Sequence, residues 1–309
     1  MPRILPRGEI ENLDHTRIPR LRIPERAGVF SDRAARLRSL AESSAVGDYL
    51  RLMARLAEAQ QRALREFDPP AVDADVLAQA RTHEMPPLPA ASLARDARWR
   101  TLLARLLDDV AGDAATPPQA VEACTALART LDTAPERVEQ IADGLLAGRV
   151  EGADVAPAPF VMAALQVYWT SMAAGLRERD LPVGAFGLCP TCGTPPVASV
   201  VRIGGAHDGY RYLCCPLCSC EWHLERVKCS HCASTKGIAF HYIEDGREGV
   251  KAETCDGCRS YRKIFYQDKD PFMEPVADDL GSLALDMLMG DEGYARRSGN
   301  PLLWQDSGD

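Results

Sequence analysis

The sequence predicts an α+β protein: an N-terminal α-helical domain, then two tandem rubredoxin-like or zinc-ribbon-like metal-binding units, then a C-terminal helix. Three observations predict it. Residues 31–180 are rich in Ala, Leu and Arg, with apolar positions at helical spacing and few β-branched or aromatic residues. After Asp180 the composition switches to short strand-like runs separated by Gly-containing turns. Finally, four Cys-x-x-Cys pairs between residues 189 and 258 form an internal repeat. Cys189/Cys192 and Cys215/Cys218 recur, shifted by forty residues, as Cys229/Cys232 and Cys255/Cys258.

Residues 1–26, rich in Arg and Pro, read as an extended arm that is ordered only if docked. The helical domain occupies 27–182. Ser31 is a candidate N-cap, followed by Ala34, Leu37 and Leu40 at helical spacing. Leu50, Met53, Leu56, Ala57 and Leu64 line one face of the next stretch, which Asp68-Pro69-Pro70 stops. Further helices are expected near 73–81, 92–111, 117–131, 134–147 and 158–178. The first ribbon spans 183–226 and the second 227–270, each built as strand, turn and strand around its cysteines. Residues 271–309 hold an Asp-rich linker, a helix over DLGSLALDMLM and a tail.

Formal net charge is −8 in 309 residues, which argues against the whole chain binding nucleic acid. The first residues lack the apolar core of a secretory signal, and no apolar run is long enough to span a membrane. The expectation is a cytoplasmic protein whose thiols stay reduced, where paired cysteines bind metal or do redox work.

Eight thiols at a repeated spacing point to two tetrahedral metal sites, with Cys189, Cys192, Cys215 and Cys218 at one and Cys229, Cys232, Cys255 and Cys258 at the other. All-sulfur geometry serves iron and zinc alike. Four protein ligands leave no open position, so hydrolytic metal catalysis is not expected. In such knuckles the residue after the second Cys needs a positive φ, and only Gly193 supplies it cheaply; Ser219, Ala233 and Arg259 hold the other three positions. Arg226, Lys228, Lys251, Arg259, Arg262 and Lys263 are placed in sequence to offset thiolate charge. Cys214 and Cys220 read as small packed side chains or as alternative ligands, and Cys124 as core. His223 and His231 read as packing or supporting groups. Asp278, Asp279 and Asp286 are either a carboxylate cluster or helix-capping residues. No catalytic motif stands out, and the protein is not expected to be an enzyme.

The stretch YLCCPLCSCEWHLERVKCSHC, from Tyr212 to Cys232, resembles the centre of the formate dehydrogenase accessory protein family FdhE, with Trp222, His223 and Arg226 between the second and third cysteine pairs. AETCDGCRSYRKIFYQDKDP, ADDLGSLALDMLM and DEGYARRSGNPLLW continue the resemblance, and DRAARLRSLAESSAVGDYLRLMARLAEAQ is similar to the family's first helices. The resemblance implies a cytoplasmic assembly chaperone that binds the catalytic, molybdenum-containing subunit of formate dehydrogenase before twin-arginine export. It also implies iron, with zinc as the alternative, at the eight paired cysteines. Candidate partner-binding residues are Trp222, His223, Arg226, Arg296, Arg297 and Asn300. For Trp222 and Arg226 the competing expectation is packing between the ribbons and charge compensation. A homodimer is compatible with the sequence.

Two other functions compete. A nucleic-acid-binding zinc ribbon would use Tyr210, Tyr212, Trp222, Phe240 and Tyr242 for stacking, but residues 189–263 hold ten Lys/Arg against eight Asp/Glu, a weak basic footprint. A thiol–disulfide oxidoreductase would use Cys214, Cys215, Cys218 and Cys220.

Overall fold

The computed structural model describes residues 18–182 and 186–305. Among the described residues, seven α-helices form the N-terminal part: α1 (Val29–Ala41), α2 (Gly47–Glu66), α3 (Ala74–Thr82), α4 (Arg98–Ala111), α5 (Pro118–Thr133), α6 (Pro135–Leu146) and α7 (Ala158–Ala173). α7 is the axis of this bundle and packs against α2, α4 and α6. All of its residues are buried, as its nearly unbroken apolar sequence requires. Its few polar groups are paired. Gln60 donates to the Gln166 side chain at 2.8 Å, and Trp169 Nε1 donates to the Leu88 carbonyl at 3.0 Å.

Several boundaries differ from the sequence expectation, most of them because of contacts with distant segments. α1 starts at Val29, before Ser31, because Gln61 Oε1 of α2 accepts from the Phe30 and Ser31 N–H groups and replaces a side-chain cap. α4 starts at Arg98, not near 92, because the preceding segment is committed elsewhere. There the Leu88 and Ala90 N–H groups donate to the carbonyls of Thr191 and Cys192 at 2.9 and 2.8 Å. α7 ends at Ala173 rather than near 178. The expected helix over DLGSLALDMLM is two helices, α8 (Pro275–Leu280) and α9 (Leu283–Asp291). The break falls at Gly281, where a Cβ would lie 2.9 Å from Leu40 of α1.

The strands are β1 (Leu21–Arg22), β2 (Ala198–Val201), β3 (Arg211–Cys214), β4 (Glu221–His223), β5 (Ile238–His241), β6 (Val250–Cys255), β7 (Ser260–Tyr266) and β8 (Ala295–Arg296). They form one sheet of order β1-β4-β3-β2-β7-β6-β5, with β8 also on β7. β2, β3 and β4 carry the first two cysteine pairs; β5, β6 and β7 repeat the plan for the other two. Within each repeat the strands are antiparallel. The repeats join through a parallel pairing in which Ser199, Val200 and Val201 face Ile264, Phe265 and Tyr266. The end of the N-terminal arm is docked: Leu21 and Arg22 pair with Trp222 and Glu221. The rest of the expected arm, residues 1–17, lies outside the described residues.

Candidate metal centres

The chain brings the eight paired cysteines together as two groups of four, Cys189/Cys192/Cys215/Cys218 and Cys229/Cys232/Cys255/Cys258, with all sulfurs of a group within 4.8 Å of one another. In each group a loop before the first strand supplies one pair and the turn between the last two strands supplies the other. Sulfurs of facing pairs lie 3.5 and 3.4 Å apart in the first group and 3.7 and 3.7 Å in the second. A tetrahedral ion with bonds of ~2.3 Å to sulfur sets its ligands ~3.8 Å apart. The spacing therefore suits one ion per group, and all eight cysteines are free thiols. When bound, an ion would tie two chain segments together through four thiolates and, if it were iron, offer a one-electron couple.

The knuckle backbone is the same at all four pairs. Gly193, Ser219, Ala233 and Arg259 have φ of 78°, 58°, 63° and 52°. Gly is thus not a precondition, and three knuckles hold an L-residue in the left-handed region. The Gly193 and Ala233 N–H groups donate to the Cys189 and Cys229 carbonyls at 2.8 and 3.1 Å. Backbone N–H groups also reach sulfur: Cys218 to Cys215 at 3.4 Å, and His231 and Cys232 to Cys229 at 3.4 and 3.5 Å.

The two groups differ in surroundings. All four cysteines of the first are buried. Its wall is the helical domain: Gln166 donates to the Pro216 carbonyl at 2.6 Å, and the Thr170 hydroxyl lies 3.4 Å from both the Leu217 carbonyl and Ser219 Oγ. In the second group Cys232 is exposed and Cys258 half-buried. Burial pushes the Cys189 and Cys218 thiols up. It opposes ionisation of Cys192 and Cys258 as well, but hydrogen bonding from neighbouring thiols, with Thr194 at Cys192 and Ser260 at Cys258, outweighs it. The Cys192 thiol is held well below its usual range and the Cys258 thiol at about 7.

The six cations that the sequence places near the thiolates make their direct contacts elsewhere. Among the described residues, none of the six hydrogen-bonds to a cysteine sulfur. Arg226 donates to the Gly209 carbonyl, and Lys228 pairs with Glu225. Lys251 lies over the Tyr242 and Tyr266 rings. Arg259 stacks on Tyr294 and donates to the Glu292 carbonyl. Lys263 pairs with Asp279 and Asp286. Arg262 is buried and donates to Ser230 Oγ inside the third knuckle at 2.7 Å and to the Pro196 carbonyl just past the first. Arg211, which sequence reasoning missed, is fully buried, pairs with Glu253 and donates to the carbonyls of Glu225, Arg226 and Lys228. It thereby fixes the segment that joins the two repeats. An Arg inside an otherwise apolar strand was the available signal.

Of the partner-binding candidates, Trp222 and Asn300 are buried and Arg226 and Arg297 exposed, with His223 and Arg296 between. The expectation of a surface role is corrected for two of them. Trp222 sits on β4, on the far side of the first repeat from β7, so it does not pack between the ribbons either. Asn300 donates to the Val276 carbonyl and to Asp279 at 2.9 and 2.8 Å. Arg296 is held by Asp279 and Asp286 at 2.6 and 3.2 Å. The three aspartates are not an open carboxylate cluster; Asp278 does cap its helix, accepting from the Glu274 N–H at 2.8 Å, but from a buried position. Asp278 and Asp279 are fully buried, Asp278 chelated by Arg36 and paired with Arg247, and Asp286 accepts from Tyr261 at 2.7 Å. Cys214 and Cys220 are buried; Thr191 Oγ1 donates to the Cys220 sulfur at 3.2 Å, and burial pushes the Cys214 thiol well up. Cys124 is also buried, its thiol pushed up to about 11. Of the oxidoreductase candidates, Cys214, Cys215 and Cys218 are buried with thiols pushed up by burial, which does not suit that chemistry. Tyr212 and Trp222 are buried too, which removes two of the five stacking candidates for nucleic acid.

Among the described residues no helix is long and apolar enough to cross a membrane. Family models for the FdhE N-terminal, central and C-terminal domains match residues 18–185, 188–226 and 227–303. The chain is 39% identical to the FdhE homolog of Cronobacter sakazakii, with 99% of both chains covered. It is 43% identical to that of Pseudomonas putida, with 97% of this chain and 94% of the relative covered. It is also similar to the crystal structure of the FdhE protein from Pseudomonas aeruginosa, with a TM-score of 0.78 and 38% identity over 94% of this chain and 100% of that one. Matched along its length by all three domains, with both four-cysteine groups formed, the chain belongs to the FdhE family.

Proposed function

We propose that this protein is a non-catalytic, cytoplasmic assembly chaperone for formate dehydrogenase. It binds the catalytic, molybdenum-containing subunit before twin-arginine export, and each four-cysteine group holds one metal ion, iron in preference to zinc. The observation that carries the reading is the pair of convergent four-sulfur groups on a chain of this family. Four cysteines fill a tetrahedral shell, so a bound ion supports structure or electron exchange rather than substrate activation. The preference for iron and the identity of the client rest on the family resemblance. The buried first group supports a structural role at the junction of helices and sheet; the half-exposed second group supports contact with solvent reductants or a partner.

The test is anaerobic affinity capture of the tagged protein from its own host, with mass spectrometry of the captured proteins and metal analysis of the same sample. The expected result is a formate dehydrogenase catalytic subunit and close to two iron ions per chain, with the subunit lost and about one iron ion removed in the Cys189→Ser/Cys192→Ser double variant or its counterpart at Cys229 and Cys232. Capture without any such subunit would refute the client, and zinc alone would refute the metal.

A further inference from the structure

α9 is apolar on two sides. Leu285 and Met289 face the core and are buried, while Ala284, Met287 and Leu288, spaced i, i+3 and i+4, share the opposite face. Met287 is 72% exposed and Leu288 46%. A helix apolar all round is normally covered on all sides. The same face runs on into a groove of about 340 Å³, where Leu283 and Ala284 meet Val46 of the α1–α2 turn and Ile243 of the β5–β6 hairpin. Val46 and Ile243 are 40% and 39% exposed, and Tyr242, beside Ile243, is 67% exposed. Three segments distant in sequence thus place exposed apolar side chains around one groove, the mark of an interaction surface.

Charge decides the occupant. Glu42, Glu244, Asp245, Asp291 and Glu292 lie on the segments that border this face; all are exposed and none forms an ion pair among the described residues. Of the nearby cations, Arg247 is paired with Asp278, and half-buried Lys251, over the rings of Tyr242 and Tyr266, keeps its charge but is outnumbered by these five carboxylates. The free charge at the rim is therefore negative. A second copy of this face would set carboxylate against carboxylate, and a nucleic acid has the wrong sign. An apolar segment ending in cations satisfies both the groove and its rim.

We infer that α9 and the adjoining groove dock an apolar segment of a partner protein that carries lysine or arginine at its ends. The inference rests on the proposed assembly role only for where that segment comes from. The chain just after α9 touches the second cysteine group's last knuckle, through the Glu292 carbonyl with Arg259 and Tyr294 with Asp256 at 2.7 and 2.6 Å. The docking face thus adjoins the more exposed of the two metal centres.

The test uses the full-length metal-loaded protein and a fluorescein-labelled peptide of leucines and alanines with paired lysines at both ends, read by fluorescence anisotropy. The comparison peptide has glutamates in place of the lysines. The lysine-ended peptide is expected to bind, with affinity at least about tenfold lower for the glutamate-ended peptide and for Met287→Asp or Ile243→Asp. Raised salt should weaken it, and Met85→Asp, at an exposed apolar residue elsewhere, should not. Equal binding of the two peptides, or full binding by both Met287→Asp and Ile243→Asp, would overturn the inference. So would a wild-type dimer in analytical ultracentrifugation that Met287→Asp dissociates, since a second copy would then cover the face. The two variants lie at exposed positions on separate segments, and thermal unfolding checks that each is folded. The assay contains no formate dehydrogenase, so it and the client capture can fail independently.

Discussion

Single residues set the shape of the sulfur cages. A left-handed conformation costs an L-residue about 1–2 kcal/mol, and Ser219, Ala233 and Arg259 bear that cost where Gly193 does not. Gly193→Ala should destabilise the protein by about 1 kcal/mol through its backbone conformation alone, since Pro86 Cγ would lie at ordinary contact distance, 3.4 Å, from the new methyl. Ala233→Gly, at an exposed position, should stabilise it by about 0.5 kcal/mol, the relieved strain less the added backbone entropy. Urea unfolding of metal-loaded protein measures both, and an opposite order would show that the knuckle φ is not strained. Asp279 is the second residue that decides much. Burial opposes its charge, but Lys263 and Arg296, with a hydrogen bond from Asn300, outweigh it and hold its pKa below the usual 3.8. A folded value below the unfolded one stabilises the protein above the usual carboxylate value and loses that stability as pH falls through the folded value. Asp279→Ala should cost about 3 kcal/mol at neutral pH, because it leaves buried cations short of a partner. It should also flatten the fall of stability below about pH 4. An unchanged acid profile would assign that fall to other carboxylates.

Elements decide how the two centres differ. The first group's knuckles are pinned by α7 through Gln166 and Thr170 and by the Leu88–Ala90 segment, so its sulfurs are shut away from solvent. The second hangs on β5, β6 and β7 at the far end of the sheet, with Cys232 exposed. A chelator should therefore remove metal in two phases, the faster from the second group. Cys229→Ser/Cys232→Ser should abolish the fast phase and leave the slow one, as followed by absorbance or by metal content. A single phase in the wild type, or loss of the slow phase in this variant, would contradict the asymmetry. The helix boundaries belong to this scale as well. Periodicity marks the helices, but the start of α4 and the break between α8 and α9 answer to neighbours, namely the carbonyls of Thr191 and Cys192 and the side chain of Leu40.

Over the whole molecule, the β2–β7 pairing makes one sheet of what the repeat suggests are two ribbons, and Arg211 and Arg262 lock the junction from inside. The helical domain is in turn bonded to the first cysteine group. Unfolding should therefore be cooperative: helical circular dichroism and metal absorbance should be lost at the same urea concentration. Separate midpoints would mean that the cysteine repeats fold independently of the helices. Much was legible without coordinates. The four pairs and their forty-residue shift identified the eight converging thiols, because knuckle geometry is local and its residues are close in sequence. Apolar periodicity located the helices for the same reason. What the sequence did not disclose involves residues far apart along the chain. Asn300 read as a surface residue and Trp222 as either a surface or an inter-ribbon residue, and both are core. Asp278, Asp279 and Asp286 read as a carboxylate cluster or as caps and are ion-pair partners of Arg36, Arg247, Lys263 and Arg296, the first two fully buried. The sequence by itself determined which atoms could hold a metal, since spacing within a turn dictates that. Only the tertiary structure decided which centre is buried, which charges are used up internally and which apolar face is left bare, because burial depends on what the rest of the chain packs against each group.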